Sequence, residues 1–301
     1  MSDISASDAR IRAVEAASWV VSGKTRKNRA RSTAVDLWKR RELVLLLTRR
    51  EVRARFKDSS LGLLWSFARP LAQFAVYFFA LGKILGLARS IPDFAIFVFV
   101  GLTGWLFFSE AVQKATSSIV TNASLVKKVQ LPREVFPISA MGSVAFMSLV
   151  QFGVLIVAVL ALGTPPALSA LPYAVGGIAV LIVVTLAVGI YLAAINVHFR
   201  DVEHLVEVAM VVLFWGSPIV YSFEYVHKFL AGNWLEQLYL LNPVTIAVIG
   251  LQRGLWGAGA DEVWPNYLGV RLLVMFLVAL VALVGAHHVF IRREGDFAQE
   301  M

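Results

Sequence analysis

The 301-residue chain contains no cysteine. Disulfides and thiolate metal sites are therefore excluded, and any metal would need His and carboxylate ligands. Charge is scarce as well: 16% of the residues are charged against 58% hydrophobic. The mean hydropathy of +0.71 is far above what a water-soluble domain of this length needs to fill a core. The first sixty residues lack the n-region, apolar core and small-residue cleavage site of a signal peptide, so the amino terminus is expected to stay in the mature protein.

Other absences narrow the chemistry. Ser22-Gly23-Lys24-Thr25 matches only the second half of a phosphate-binding GxxxxGK[ST] loop, because position 18 is Ser. No buried strand and Walker-type acid follow it, so the chain is not expected to hydrolyse ATP or hold a cofactor itself. His198, Asp201 and His204 have helical metal-site spacing, yet His at a membrane boundary is more often a satisfied interfacial residue. No metal site is expected, there or at His287 and His288. A membrane glycosyltransferase needs a large acidic loop, and Glu224, Glu236, Asp261 and Glu262 are well separated along the chain. Proton coupling would place an acid deep in a span, whereas Glu110, Glu203 and Glu207 lie near span ends. No internal repeat of the single-chain transporter kind is visible.

What is present is a set of long apolar runs. About twenty apolar residues cross roughly 30 Å of hydrocarbon, and such runs fall near 61–87, 94–113, 136–162, 172–196, 205–222 and 268–290. The expected fold class is an all-α polytopic membrane protein with six transmembrane helices. The formal charge of +8 fits membrane topology better than nucleic acid. Fifteen basic residues precede the first span, and Lys114, Lys127, Lys128, Arg133, Arg200, Arg292 and Arg293 fall on the same side. The positive-inside bias predicts both termini in the cytoplasm. The fifth run contains Gly216 and Pro218, so a break near its outer end is expected. The external segment 223–267 is too apolar for a simple loop, and Asn242-Pro243 divides it. It reads as two short helices dipping back into the outer membrane face.

The expected layout is a basic arm over 1–34, an amphipathic helix in the cytoplasmic interface over 35–58, a transmembrane domain over 59–291 and a cytoplasmic tail over 292–301. Within the domain, a cytoplasmic coupling loop spans 114–135 and external gate helices span 223–256. At 100° per residue Trp38, Leu45, Val52 and Phe56 share one stripe, while Lys39, Arg50, Arg53 and Lys57 cluster on another. Such a helix lies in the interface with its cationic face toward anionic headgroups. It runs directly into a span carrying Arg69, roughly 12 Å along the helix from Leu61 at about 1.5 Å per residue. A central Arg costs about 2.5 to 3.5 kcal/mol to insert, so Arg69 is expected to face protein or an aqueous cavity. Pro70 is expected to loosen the helix near Ser66.

Several stretches together carry a resemblance: Arg55-Phe56-Lys57-Asp58-Ser59-Ser60-Leu61-Gly62-Leu63-Leu64-Trp65 with Pro70, Asn122 with "LVKKVQLPREVFP" (125–137), "NVHFRDV" (196–202), "FWGSPIVY" (214–221), "LNP" (241–243) and "FIRREGDFAQE" (290–300). Over roughly 36–300 the chain resembles the membrane subunits of ATP-binding-cassette exporters for polysaccharides and polyol phosphates, which move O-antigen, capsule, teichoic acid and galactan. The longer arm and Arg69 depart from the family pattern.

The resemblance implies a homodimeric permease in a bacterial plasma membrane, working with two cytoplasmic ATPase subunits that hold ATP and Mg. The substrate it implies is a polymer on a polyprenyl diphosphate lipid. Lys39, Arg50, Arg53, Arg55, Lys57 and Arg69 are then candidates for the headgroup doorway. Lys127, Lys128, Arg133, Glu134, Arg200 and Asp201 are candidates for ATPase coupling. Trp65, Tyr77, Phe78, Trp105, Phe108, Trp215 and Tyr221 are pathway candidates, although lipid-facing or interfacial packing is the default for such aromatics. A drug or small-lipid exporter on the same scaffold and a proton-coupled secondary transporter remain as alternatives.

Overall fold

A computed structural model describes residues 41–56, 64–128, 132–161, 163–295 and 297–300. Every regular element among them is helical: α1 (Arg41–Phe56), α2 (Leu64–Tyr77) continued by a π-helical stretch (Phe78–Ile84), α3 (Phe94–Thr121), α4 (Ala123–Lys128), α5 (Val135–Ala161), α6 (Leu171–Asn196), α7 (Val202–Trp215), α8 (Phe223–Leu230), α9 (Trp234–Leu240), α10 (Pro243–Leu255), α11 (Leu268–Arg293) and α12 (Phe297–Glu300), with single 3-10 turns at Leu87–Arg89 and Gly257–Gly259.

Four of these, α3, α5, α6 and α11, are long and apolar enough to cross a membrane. Helices α9 and α10 make a fifth if that pair, bent by 79°, is one span. Six runs were expected. Among the described residues, the run at 61–87 holds an apolar helix over Leu71–Ile84, and the run at 205–222 yields α7, 14 residues long, which stops at Gly216. Helical structure continues through Pro70, which removes one backbone donor. The departure from α geometry comes further on, at Phe78.

Helix α3 is the central element. It packs on α5, α6, α7, α10 and α2, and most of its side chains from Phe94 to Ile119 are buried. Helix α6 packs mainly against α11 and α10. By contrast α11 turns Val270, Leu273, Val274, Leu277, Val278 and Val281 outward, as a helix facing hydrocarbon does.

The segment 223–267, expected to hold two short helices, holds three. The third, α10, is buried along Val244–Gln252 without interruption, which identifies a helix inside the bundle rather than one lying on a face. Small residues permit this. A Cβ at Gly254 would sit 2.4 Å from the backbone nitrogen of Ala174, and one at Gly177 would sit 2.6 Å from the Ala247 carbonyl oxygen. Close backbone approach of this kind is how helices associate where no hydrophobic force distinguishes protein from lipid.

Candidate functional site: a broken helix, an aromatic cluster and the inner face

The backbone after Trp215 leaves the helix over Gly216–Tyr221. Membranes tolerate freed backbone groups only where protein or enclosed water satisfies them. Here α10 supplies the partners. Gln252 Nε2 donates to the Pro218 carbonyl at 2.7 Å, and Thr245 Oγ1 donates to the Gly216 carbonyl at 3.3 Å. Asn242 works in both directions: its Oδ1 accepts from Val244 N–H at 3.0 Å, capping α10, and its Nδ2 donates to Ser217 Oγ at 3.2 Å. The Tyr221 hydroxyl reaches back to the Trp215 carbonyl at 2.7 Å. Ser217, Thr245 and Gln252 are buried. The break expected from Gly216 and Pro218 is therefore a built feature, fixed by three polar side chains of a neighbouring helix.

On the other side of the break the aromatics converge. Phe214 is the hub, with Tyr77 at 5.4 Å, Trp105 at 5.6 Å and Trp215 at 5.3 Å, and Trp105 meets Phe108 at 5.9 Å. Of the sequence candidates, Tyr77, Trp105, Phe108 and Trp215 are thus brought together, and Tyr221 joins through its bond to Trp215. Phe78 stands apart, stacked on Phe74 at 5.9 Å. Trp105 and Phe108 are buried in the core, while Trp215 is 54% exposed. Phe214 is absent from the sequence candidates; its ring meets that of Trp215, but Phe214 is buried in the core whereas Trp215 is exposed.

Helix α7 presents an apolar face that the other described residues leave uncovered. Leu205, Val208, Val211, Val212 and Trp215 are exposed along it. Between α7 and α6 runs an apolar groove of about 430 Å³, with Val188, Leu192, Val206 and Met210 on its walls and Asn242-Pro243 among its lining residues.

At the inner end, α1 packs along α5, with Thr48 against Gly142. Its protein-facing residues are Leu43, Val44, Leu47 and Val52, whereas Leu45 and Leu46 point outward. Two expected headgroup cations make contacts within the chain: Arg50 donates to Asn122 Oδ1 at 2.7 Å and Arg55 to Glu110 at 2.7 Å. Arg53 is exposed. Lys39 and Lys57 lie outside the described residues, as do the side chains of Trp65, Arg69 and Lys128.

The coupling candidates divide into two groups. Lys127, Arg200 and Asp201 are exposed. Glu134 is 1% exposed and meets His287 Nδ1 at 2.6 Å. Arg133 is half-buried, and its backbone N–H donates to Glu294 Oε1 at 3.1 Å. The mixed-charge knob expected around Pro132 is therefore exposed at Lys127 and engaged by α11 and the following segment at Arg133 and Glu134.

In the segment after the break, acids well separated in sequence come together. Glu224 pairs with Lys228 at 2.6 Å, which draws the Glu224 carboxyl below its ordinary range. Burial, and then the neighbouring Glu224 carboxylate, pushes the Glu262 carboxyl upward. His227 Nδ1 meets Glu236 at 2.8 Å, joining α8 to α9.

Comparison with known proteins follows the same residues. The ABC-2 type transporter family profile matches residues 42–256, from α1 through the break to the end of α10. The chain is similar to the O-antigen export system permease protein RfbA of Myxococcus xanthus, 28% identical over 266 residues that cover 88% of this chain and 98% of the relative. A Klebsiella pneumoniae protein of the same name is 30% identical over 185 residues, covering 60% of this chain and 69% of the relative. The polysialic acid transport protein KpsM of Escherichia coli is 25% identical over 242 residues, covering 78% of this chain and 86% of the relative.

Proposed function

The chain belongs to the ABC-2 type transporter family of membrane proteins, and from that premise we propose that it is the permease subunit of an ATP-driven polysaccharide exporter of the O-antigen type. The observation that carries this reading is the alignment with an O-antigen export permease over 98% of that protein's length. In this reading the substrate is a glycan on a polyprenyl diphosphate lipid, and two cytoplasmic ATP-binding-cassette subunits supply the energy. The protein sits in the bacterial inner membrane with both termini in the cytoplasm. Helix α2 with its π-helical extension, and α7 with its broken outer end, complete six crossings.

A second copy of the chain covers the exposed face of α7. The support is that face itself: an apolar stripe ending at Trp215, beside the cluster of Phe214, Tyr77 and Trp105. Aromatic faces at such an interface let a sugar chain slide, because few directional hydrogen bonds must be broken at each step. The break at Gly216–Tyr221 and helices α8 and α9 form the outer gate. Substrate headgroups meet the cations of α1, of which Arg53 is exposed and Arg50 and Arg55 must first release Asn122 and Glu110.

The test is to co-express the chain with its ATP-binding-cassette subunit, purify the assembly and measure hydrolysis. A stable complex of two copies of each chain, whose ATP turnover rises with lipid-linked glycan, is the expected result. A chain that purifies and transports without an ATPase overturns the proposal.

A further inference from the structure

Three segments far apart in sequence meet on one aromatic ring at the inner end of the bundle. Phe297 has no exposed surface. Phe290 of α11 packs edge-on against it at 5.4 Å, and His198, in the turn between α6 and α7, does so at 6.0 Å. The Arg133 guanidinium lies 5.7 Å over the ring. That guanidinium also donates to the Glu294 backbone carbonyl, while the Arg133 N–H binds the Glu294 carboxylate at 3.1 Å. One residue on, buried Glu134 meets His287 at 2.6 Å.

A four-residue helix such as α12 has no stability of its own. Tertiary contact fixes it, and Phe297 provides that contact. A buried carboxylate needs partners to offset its desolvation; His287 Nδ1 of α11 stands 2.6 Å from Glu134 Oε1, although among the described residues neither carboxylate oxygen receives an aligned hydrogen bond. Both residues of the Arg133-Glu134 pair are thus engaged with α11 and the segment that follows it. Meanwhile Lys127 on α4 and Arg200-Asp201, just beyond His198 in the α6–α7 turn, are exposed.

We propose that Phe297 is a positioning residue. With the Arg133–Glu294 and Glu134–His287 contacts it joins the amino-terminal end of α5, the α6–α7 turn and the end of α11 into one rigid block. A displacement applied to Arg133-Glu134 by the ATPase is then delivered to α7 and α11. The inference rests on the proposed function, since it presumes an ATPase pressing on this face.

The test uses the complex of the full chain with its ATPase subunits in proteoliposomes. Phe297→Ala is expected to assemble and to hydrolyse ATP within about twofold of the wild type, while glycan transported per ATP falls at least tenfold. Phe297→Leu, which refills the site, is expected to restore that ratio. Glu294→Ala, which removes the carboxylate half of the Arg133 contact, is the second variant and is expected to give a smaller loss of the same ratio. An unchanged ratio in both Phe297→Ala and Glu294→Ala overturns the proposal, as does a parallel fall in assembly, hydrolysis and transport that Leu does not rescue. Absence of ATP-driven transport in the wild-type complex would instead overturn the functional reading beneath it.

Discussion

Replacing Gln252 with Leu keeps the side-chain volume near that of the original and removes one donor. Gln252 is 1% exposed, and its amide is bonded to the Pro218 carbonyl at 2.7 Å. Leaving a buried acceptor unpaired costs about 1–3 kcal/mol. The loss is local, because Thr245 and Asn242 still hold Gly216 and Ser217. At about 1.4 kcal/mol per tenfold, local opening of the broken segment should become roughly five- to a hundred-fold more frequent. Hydrogen exchange read by mass spectrometry resolves this. The amides of Gly216, Ser217 and Ile219, which are bonded within the segment or to the last turns of α7, should exchange faster by that factor. Those in the middle of α6 and α11 should keep wild-type rates. Unchanged exchange at 216–221, or an equal acceleration through every helix, would refute the claim that α10 secures the break.

Other perturbations follow from the packing and charges. Gly254→Ala forces a methyl to within 2.4 Å of Ala174 and should cost about 1–3 kcal/mol as overpacking, seen as a lower melting temperature in detergent. Gly153→Ala, with open space around it, should stabilise α5 by up to about 1 kcal/mol on helix propensity. Arg55 and Glu110 form a half-exposed pair, so a double-mutant cycle on melting should give a coupling of only about 0.2–1 kcal/mol, falling with salt. Because the Glu262 carboxyl is raised, its contribution to stability is full below the ordinary Glu range and is lost as pH rises through the raised value. Glu262→Gln should therefore stabilise the outer segment at neutral pH, with the gain shrinking in acid; a constant gain across pH would refute that cause.

Much of the scaffold was legible because hydrocarbon demands long apolar runs. The helices at Phe94, Val135, Leu171 and Leu268 begin within a residue of the expected positions. Gly216 and Pro218 located the break of the fifth run, since neither residue propagates a helix easily. The burial of α10 was not legible: "PVTIAVIGLQRGL" carries Thr245, Gln252 and Arg253, and only the partners across the bundle explain two of those polar groups. The inner-face contacts were equally hidden. Arg50 with Asn122, Arg55 with Glu110 and Glu134 with His287 are long-range pairs, and no local periodicity links their members. The cationic stripe of α1 was read as a surface for headgroups, yet its own protein takes up two of those arginines. Phe214 escaped notice because a hub is defined by its neighbours from α2 and α3.

The central claim is that ATP hydrolysis on partner subunits drives a glycan through this chain. Proteoliposomes holding the chain and its ATPase subunits, loaded with labelled lipid-linked glycan and treated with ionophores to abolish ion gradients, test it most directly. Transfer of the glycan across the bilayer should require hydrolysable ATP and persist without a gradient. Transfer driven by a proton gradient without ATP, or by the chain with no ATPase present, would contradict it.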